Sequence, residues 1–306
     1  MAIAQYIKEI GRGKDGARSL SREQAADLFG QVLDGSVTDL EIGAFCLAMR
    51  IKGETAQEMA GFLDATHQRM LAIPAGNSPL VVIPSYNGAR KLPLLTPLLA
   101  LLLAREGLRV LIHGAGSEPT RVQVADVLAA LDIAPAATIS TVVAGTVVFV
   151  PTGLLCPGLL RLLEVRRVVG LRNPAHSLVK LMTPGAGANL LVSSYTHPEY
   201  AVSMAETFVL MRSNAVLLRG TEGESVADPR RHPRMELFVN GQRTLLQDVQ
   251  SGSLATLPEL PRVIDPASTA AYINAVLSGD NAVPEPIAAQ VAHIVRAEQQ
   301  LRRTTT

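Results

Sequence analysis

The chain has 306 residues, a formal net charge of +1, 48% hydrophobic and 4% aromatic residues, and no tryptophan. That length buries a substantial core in one large domain or two smaller ones, and the near-zero charge excludes nucleic-acid binding argued from global charge alone. Cys46 and Cys156 lie far apart in apolar contexts with no CxxC or His-rich spacing, which excludes a zinc pattern and predicts core thiols.

The start, MAIAQYIKEIGRGK, lacks the cationic and apolar stretches of a secretory signal and predicts a cytoplasmic protein. A first helix is expected from about Ile3 to Ile10. Ser21-Arg22-Glu23-Gln24, Thr38-Asp39-Leu40-Glu41 and Thr55-Ala56-Gln57-Glu58 each fit a capping box, in which the hydroxyl accepts an N–H three residues on and the Glu or Gln reaches back. Gly35 and Gly53 stand where helices would stop. Spacings such as Ala25, Leu28, Phe29, Val32 and Ile42, Phe45, Cys46, Met49 follow one buried helix face. The remaining apolar positions are available for a dimer contact.

The Pro/Gly cluster Ile73 to Pro79 reads as a linker. Beyond it we expect a buried strand at Leu80 to Ile83, a helix capped by Thr96 with Pro97 at its first position, a strand at Arg109 to Ile112 and a helix from about Thr120 to Leu131. The run LLALLLA, Leu98 to Ala104, is too short for a bilayer that needs about 20 apolar residues. Further strands are expected at Thr146 to Val150, Ala188 to Ser193 and Ala215 to Leu218, and a helical stretch at Leu159 to Leu181. Only the terminal RRTTT looks disordered. Alternating strands and helices imply a parallel sheet with ligands at the carboxyl ends of its strands, where Pro84 to Lys91 and His113 to Thr120 form loops.

Charge is unevenly placed. Leu80 to Lys180 holds ten Lys or Arg against five Asp or Glu, and Val165 to Pro198 holds no acidic residue, which predicts a local positive face. On the stretch from Leu159 to Gly170, helical spacing sets Arg161, Arg166 and Arg167 away from the Leu159, Leu162, Leu163 stripe. Lys8, Arg12, Lys14 and Arg18 surround the turn GRGKDGAR, which either grips phosphate or only joins two helices. Arg230, Arg231 and Arg234 are flanked by Asp228 and Glu236 and read as a solvated loop.

The segments VLDGSVTDLEIGAFCLAMRIKGETAQEMAGF, VVIPSYNGARK, IHGAGSEPTRVQVADVLAAL, VVGLRNPAHSLVKLMTP and SYTHPEYAVSMAETFVLMRSNAVLLRGTEGE resemble, in order, those of anthranilate phosphoribosyltransferases and the nucleoside phosphorylases of the same fold. IPSYNGARK, RGTEGE and GRGKDGAR resemble most closely the bacterial YbiB-type subgroup. The resemblance implies an α/β fold: a small all-helical domain beside a larger α/β domain with a central, mostly parallel sheet. Residues 1–72 would form the helical domain, completed by about 158–184, and residues 78–157 and 185–306 the α/β domain. The subgroup implies a homodimer through the helical domain that binds single- or double-stranded DNA and RNA with little sequence preference, without a membrane.

The family's chemistry maps unevenly onto this chain. Where the transferases carry a GTGGD loop whose N–H groups approach a pyrophosphate, this sequence has Pro84, Ser85, Tyr86, Asn87 and Gly88; Pro84 supplies no N–H and Tyr86 fills space. Of the next motif, KHGNR, only His113 and Gly114 remain. The Mg²⁺-binding Asp-Glu pair of the family has no adjacent counterpart; Glu222 and Glu224 are left either as a shifted metal site or as solvated loop acids. In GLRNPAHSLVKLMTP, Arg172 is kept, His176 replaces an Asn and Lys180 is an added cation.

Glycines and carboxylates suited to a metal-bound diphosphate have thus given way to Arg90, Lys91 and Lys180. With Arg161, Arg166, Arg167 and Arg172, and a contribution from Lys8, Arg12 and Lys14, these are expected to form a backbone-tracking groove needing no cofactor and holding no catalytic residue. Tyr86 would either stack on a base or close the old pocket, and His113 and His176 would face that pocket as hydrogen-bonded structural groups. His197 is expected to cap or orient the helix beginning near Pro198. The alternatives are a phosphoribosyl transferase that uses Mg²⁺, phosphoribosyl pyrophosphate and a changed acceptor, and a scaffold acting through the helical domain.

Overall fold

The computed structural model describes residues 3–13, 15–116 and 120–305. Helices α1 (Ala4–Ile10), α2 (Arg22–Asp34), α3 (Asp39–Lys52) and α4 (Ala56–Arg69) open the chain. All three expected capping boxes are formed, Ser21 with Gln24, Thr38 with Glu41 and Thr55 with Glu58. Phe29 stacks on Phe62 at 4.7 Å and Phe45 meets both edge-on, so one ring from each of α2, α3 and α4 locks the bundle.

Strand β1 (Leu80–Ser85), helix α5 (Thr96–Arg105), β2 (Arg109–Gly114), α6 (Val124–Ala130) and β3 (Val147–Pro151) follow. The turn α7 (Thr152–Leu155) leads into α8 (Pro157–Val169) and α9 (Ala175–Leu178), and the chain continues through β4 (Asn189–Tyr195), α10 (Pro198–Leu210) and β5 (Ala215–Arg219). It ends with β6 (Met235–Val239), β7 (Gln242–Gln247), α11 (Pro266–Ser278) and α12 (Glu285–Thr305). The sheet order is β3-β2-β1-β4-β5-β6-β7, parallel from β3 to β5 and antiparallel beyond.

Alternation along the strands divides the interior. Val82, Leu111, Leu191 and Leu217 join the core of the helical bundle, whereas Val81, Ile83, Val110, Ile112, Val192 and Val216 pack with α5, α11 and α12 on the other face. A parallel sheet covered on both faces results. Segment α8–α9 returns to the bundle: Leu159, Leu162 and Leu163 are buried with Phe29 and Phe62, and Gly158 lets the α8 backbone close on that of Leu33.

Several expectations need correction. The helical stretch from Leu159 to Leu181 is two helices, because α8 stops at the left-handed Gly170 (φ 76°) and Pro174 follows. Thr96 does not cap α5; the cap position is Leu95, and the Thr96 hydroxyl is bound elsewhere. His197 occupies the cap position of α10 without a side-chain cap bond, its ring tilted toward Tyr200. The terminal RRTTT is helical through Thr305, with Arg302 bound to Glu298 of the preceding turn. The expectation of core thiols holds: both cysteines are buried and free, and burial pushes Cys46 up to about 12.

Candidate functional site

Parallel pairing sends the ends of β1, β2, β4 and β5 to one edge of the sheet, and the loops there are joined to one another. The backbones of Ala89 and Val122 exchange hydrogen bonds of 3.0 and 2.9 Å, tying the loop after β1 to the segment before α6. Gly88 has φ +66°, and a Cβ there would stand 2.6 Å from the Val122 carbonyl oxygen, so glycine is required.

The centre of this edge is a carboxylate. Glu224, 1% exposed, accepts the N–H groups of Asn87 at 2.8 Å and Gly88 at 2.9 Å, the Thr96 hydroxyl at 3.0 Å and the Ser85 hydroxyl. Glu222 repeats the arrangement two residues earlier, its Oε1 accepting the N–H groups of Arg90, Lys91 and Leu92 at 3.2, 2.8 and 3.1 Å. The loop carrying the two acids is itself fastened. Lys180 Nζ and Ser194 Oγ donate to the Gly223 carbonyl at 2.9 and 3.0 Å, and Asn87 Nδ2 donates to that of Glu222 at 3.0 Å. Both expectations for these acids are thereby corrected: Glu224 is buried with both oxygens hydrogen-bonded, and Glu222 Oε1 is filled by backbone donors 130 or more residues away, while its Oε2 lies 4.0 Å from Arg121.

Cations surround this plug. The side chains of Arg90 and Lys91 are exposed while their backbones bind Glu222. Arg121, which sequence reading passed over, places Nη1 3.4 Å from the carbonyl oxygens of Asn87 and Gly88 and 4.0 Å from Glu222. Its signal was available, as a cation in the segment between β2 and α6. Arg167 reaches the Gly116 carbonyl at 3.3 Å, bringing the end of α8 to the same edge, with Arg166 beside it.

Beside the plug, between bundle and sheet, lies a cleft of about 570 Å³ lined by the α3–α4 turn, Arg172, His176, Lys180, Asn87 and the start of α10. Desolvation lowers Lys180 to about 8, although Glu224 nearby favours its charged form.

Other expected site residues lie elsewhere. Arg161 donates from Nη2 to the Leu33 carbonyl at 2.8 Å and serves the bundle rather than the ridge. Lys8 is exposed on α1, which packs on α3, and Arg12 pairs with Glu9 at 2.7 Å; neither has a described contact with the strand ends. Lys14 lies outside the described residues. Pro84 is buried in β1 opposite His113, and Gly114 ends β2 opposite Ser85.

Tyr86, 6% exposed, has its hydroxyl 2.8 Å from His113 Nδ1 and 2.7 Å from Thr152 Oγ1. Its ring closes the interior and has no face for a base. His113 is fully buried instead of facing the cleft, and desolvation lowers it to about 3, so the ring is neutral. The arginines at 230, 231 and 234 are paired with Asp228, Glu236 and Asp248.

The helical bundle and the seven-stranded sheet match known proteins. Residues 4–70 match the family model described as glycosyl transferase family, helical bundle domain. The chain is 42% identical over 304 residues to the uncharacterized protein YbiB of Escherichia coli K12, covering 95% of this chain and 93% of that one. It is 26% identical to the anthranilate phosphoribosyltransferase of Methylobacterium nodulans, covering 90% and 82%. Among solved structures, anthranilate phosphoribosyltransferase of Thermus thermophilus superposes with TM-score 0.71 at 23% identity, covering 95% of this chain and 87% of that one. The Saccharomyces cerevisiae enzyme in complex with PRPP and Mg gives 0.68 at 14%, covering 97% and 89%.

The chain belongs to the anthranilate phosphoribosyltransferase-like glycosyl transferase family, with YbiB of E. coli among its close relatives. The Mg²⁺-diphosphate group that this fold family implies does not fit the residues present. The loop donors suited to a diphosphate already bind Glu222 and Glu224, and of the acid oxygens suited to Mg²⁺ both of Glu224 and Oε1 of Glu222 are taken, while Glu222 Oε2 faces the Arg121 guanidinium at 4.0 Å. Among the described residues no helix is long and apolar enough to cross a membrane.

Proposed function

We propose that the chain binds single- and double-stranded DNA and RNA with little sequence preference, as a homodimer through the helical domain, and that it has given up phosphoribosyl transfer. The observation that carries this reading is the Glu224 carboxylate seated on the Asn87 and Gly88 N–H groups, inside a rim formed by Arg90, Lys91, Arg121, Arg167 and Arg172. Inward-facing donors are consumed by the protein itself, whereas the side chains of Arg90, Lys91 and Arg167 face solvent and Arg172 lines the cleft. Such a surface follows a phosphate backbone without reading bases. Leu40 at 84%, Leu47 at 47% and Ile51 at 68% exposure on α3 supply an apolar face for the second copy.

A binding series against salt with single strands, duplex and RNA tests this reading. Affinity should fall steeply with salt on all three, and affinity that ignores salt would overturn it. The transferase alternative is tested by titrating phosphoribosyl pyrophosphate with Mg²⁺; binding with turnover would replace the present proposal.

A further inference from the structure

We propose that Glu222 and Glu224 are resident ligands of the strand-end loops and act as specificity determinants: they make the protein blind to free phosphates and diphosphates while polymer phosphates still reach the rim. The inference rests on the polymer-binding reading and adds what that reading leaves open, namely how a phosphate-binding surface avoids being filled by small anions. A carboxylate on paired backbone N–H groups satisfies them as a phosphate oxygen would. Glu224 does so with hydroxyls on its other oxygen, and Glu222 does so at the next three amides of the same loop.

The geometry is built for this. Glu222 takes φ +53° and Gly223 φ +90°, a backbone that turns both acids toward the loop after β1. The Gly223 carbonyl, held by Lys180 and Ser194, and Gln290, which donates to the Ser225 carbonyl at 3.0 Å, fasten the segment on both sides. A small oxyanion arriving at these loops finds its donors spent and a negative charge in place. A polymer phosphate instead meets the exposed side chains of Arg90, Lys91 and Arg167, and it gains from several such contacts at once.

Calorimetric titration with inorganic pyrophosphate, at low salt and without metal, tests the assignment on wild type, E224A, E224Q and E222A, with folding checked by circular dichroism. Wild type should show no saturable binding. E224A should gain about tenfold or more, the equivalent of one hydrogen bond to a charged group. E224Q removes the same charge but keeps the amide donors filled, and should stay well below E224A. Folded E224A that binds no better than wild type, or wild type that binds as well as E224A, overturns the assignment. If E224A does not fold, E222A carries the test: it should bind pyrophosphate more tightly than wild type, and equal binding overturns the proposal. Oligonucleotide binding by wild type is measured separately, so failure of the polymer reading shows there, whatever pyrophosphate does.

Discussion

The Glu224 carboxylate accepts the Gly88 N–H at 2.9 Å across 136 residues of chain. The same carboxylate binds Asn87, Thr96 and Ser85, so it joins the end of β1, the start of α5 and the turn after β5 at one buried point. Replacing it with alanine strands several buried donors. E224A should lose about 3 kcal/mol of stability, the cost of leaving buried groups unpaired, as measured by urea unfolding. Saturating pyrophosphate should restore part of the loss by binding only the folded state.

Arg166 and Arg167 lie at the end of α8, where Arg167 touches the strand-end edge; Arg161, one face away, is bound to Leu33. Reversing the pair to glutamate should weaken single-strand binding and flatten its log K against log salt plot by about 0.7 for each phosphate no longer engaged. R161A should leave that slope unchanged and cost about 1 kcal/mol of stability, one hydrogen bond. Fluorescence anisotropy across a salt series separates the two effects.

Lys180 titrates near 8 because the cleft desolvates it, below the ordinary lysine value of 10.5. Between those values the unfolded chain holds the proton and the folded chain has released it. Stability should therefore rise with pH from about 8 toward 10.5, and the penalty for the buried charge applies in full below that window. Ligand binding should run the other way: any phosphate that engages Lys180 loses its partner above about pH 8. K180R should remove this pH dependence in titrations at pH 7 and pH 9, because arginine stays protonated throughout.

Glu58 is fully buried at the entrance to α4, accepting Lys52 at 2.7 Å, Leu20 N–H at 3.0 Å and both the N–H and hydroxyl of Thr55 at 3.0 Å. E58A leaves Lys52 without its buried partner and should cost about 3–5 kcal/mol, visible as a lowered denaturation midpoint. E58Q keeps the capping acceptor and should cost less.

The bundle was legible because each of its signals is local: a capping box and a stripe of apolar residues fit within one helix, as Thr38, Glu41 and Phe45 do. The β6–β7 hairpin carries a signal that sequence reading did not use. Asn240 and Gly241 have φ +50° and +80°, the paired left-handed residues of a tight hairpin, and Asn-Gly is the dipeptide that favours it. The fate of Glu222 and Glu224 was not legible in that way. Their partners are backbone amides, which every residue but proline possesses, so no side-chain pattern marks the contact. Arg161 illustrates the converse: helical spacing placed it off the apolar stripe correctly but could not show that the end of α2 would be waiting there.

The return of α8 to the bundle bears on how the molecule can be divided. Leu71 N–H donates to the Leu155 carbonyl at 2.8 Å and Ile73 N–H to that of Pro184 at 2.8 Å, so the apparent hinge at residues 73–79 is stitched to chain that arrives much later. A fragment ending at that hinge would lack α8 and present the surface of α2 around Leu33 bare to water. Cutting there would thus produce a sticky, incomplete half, and the natural unit for expression, fusion or proteolytic dissection is the uninterrupted chain.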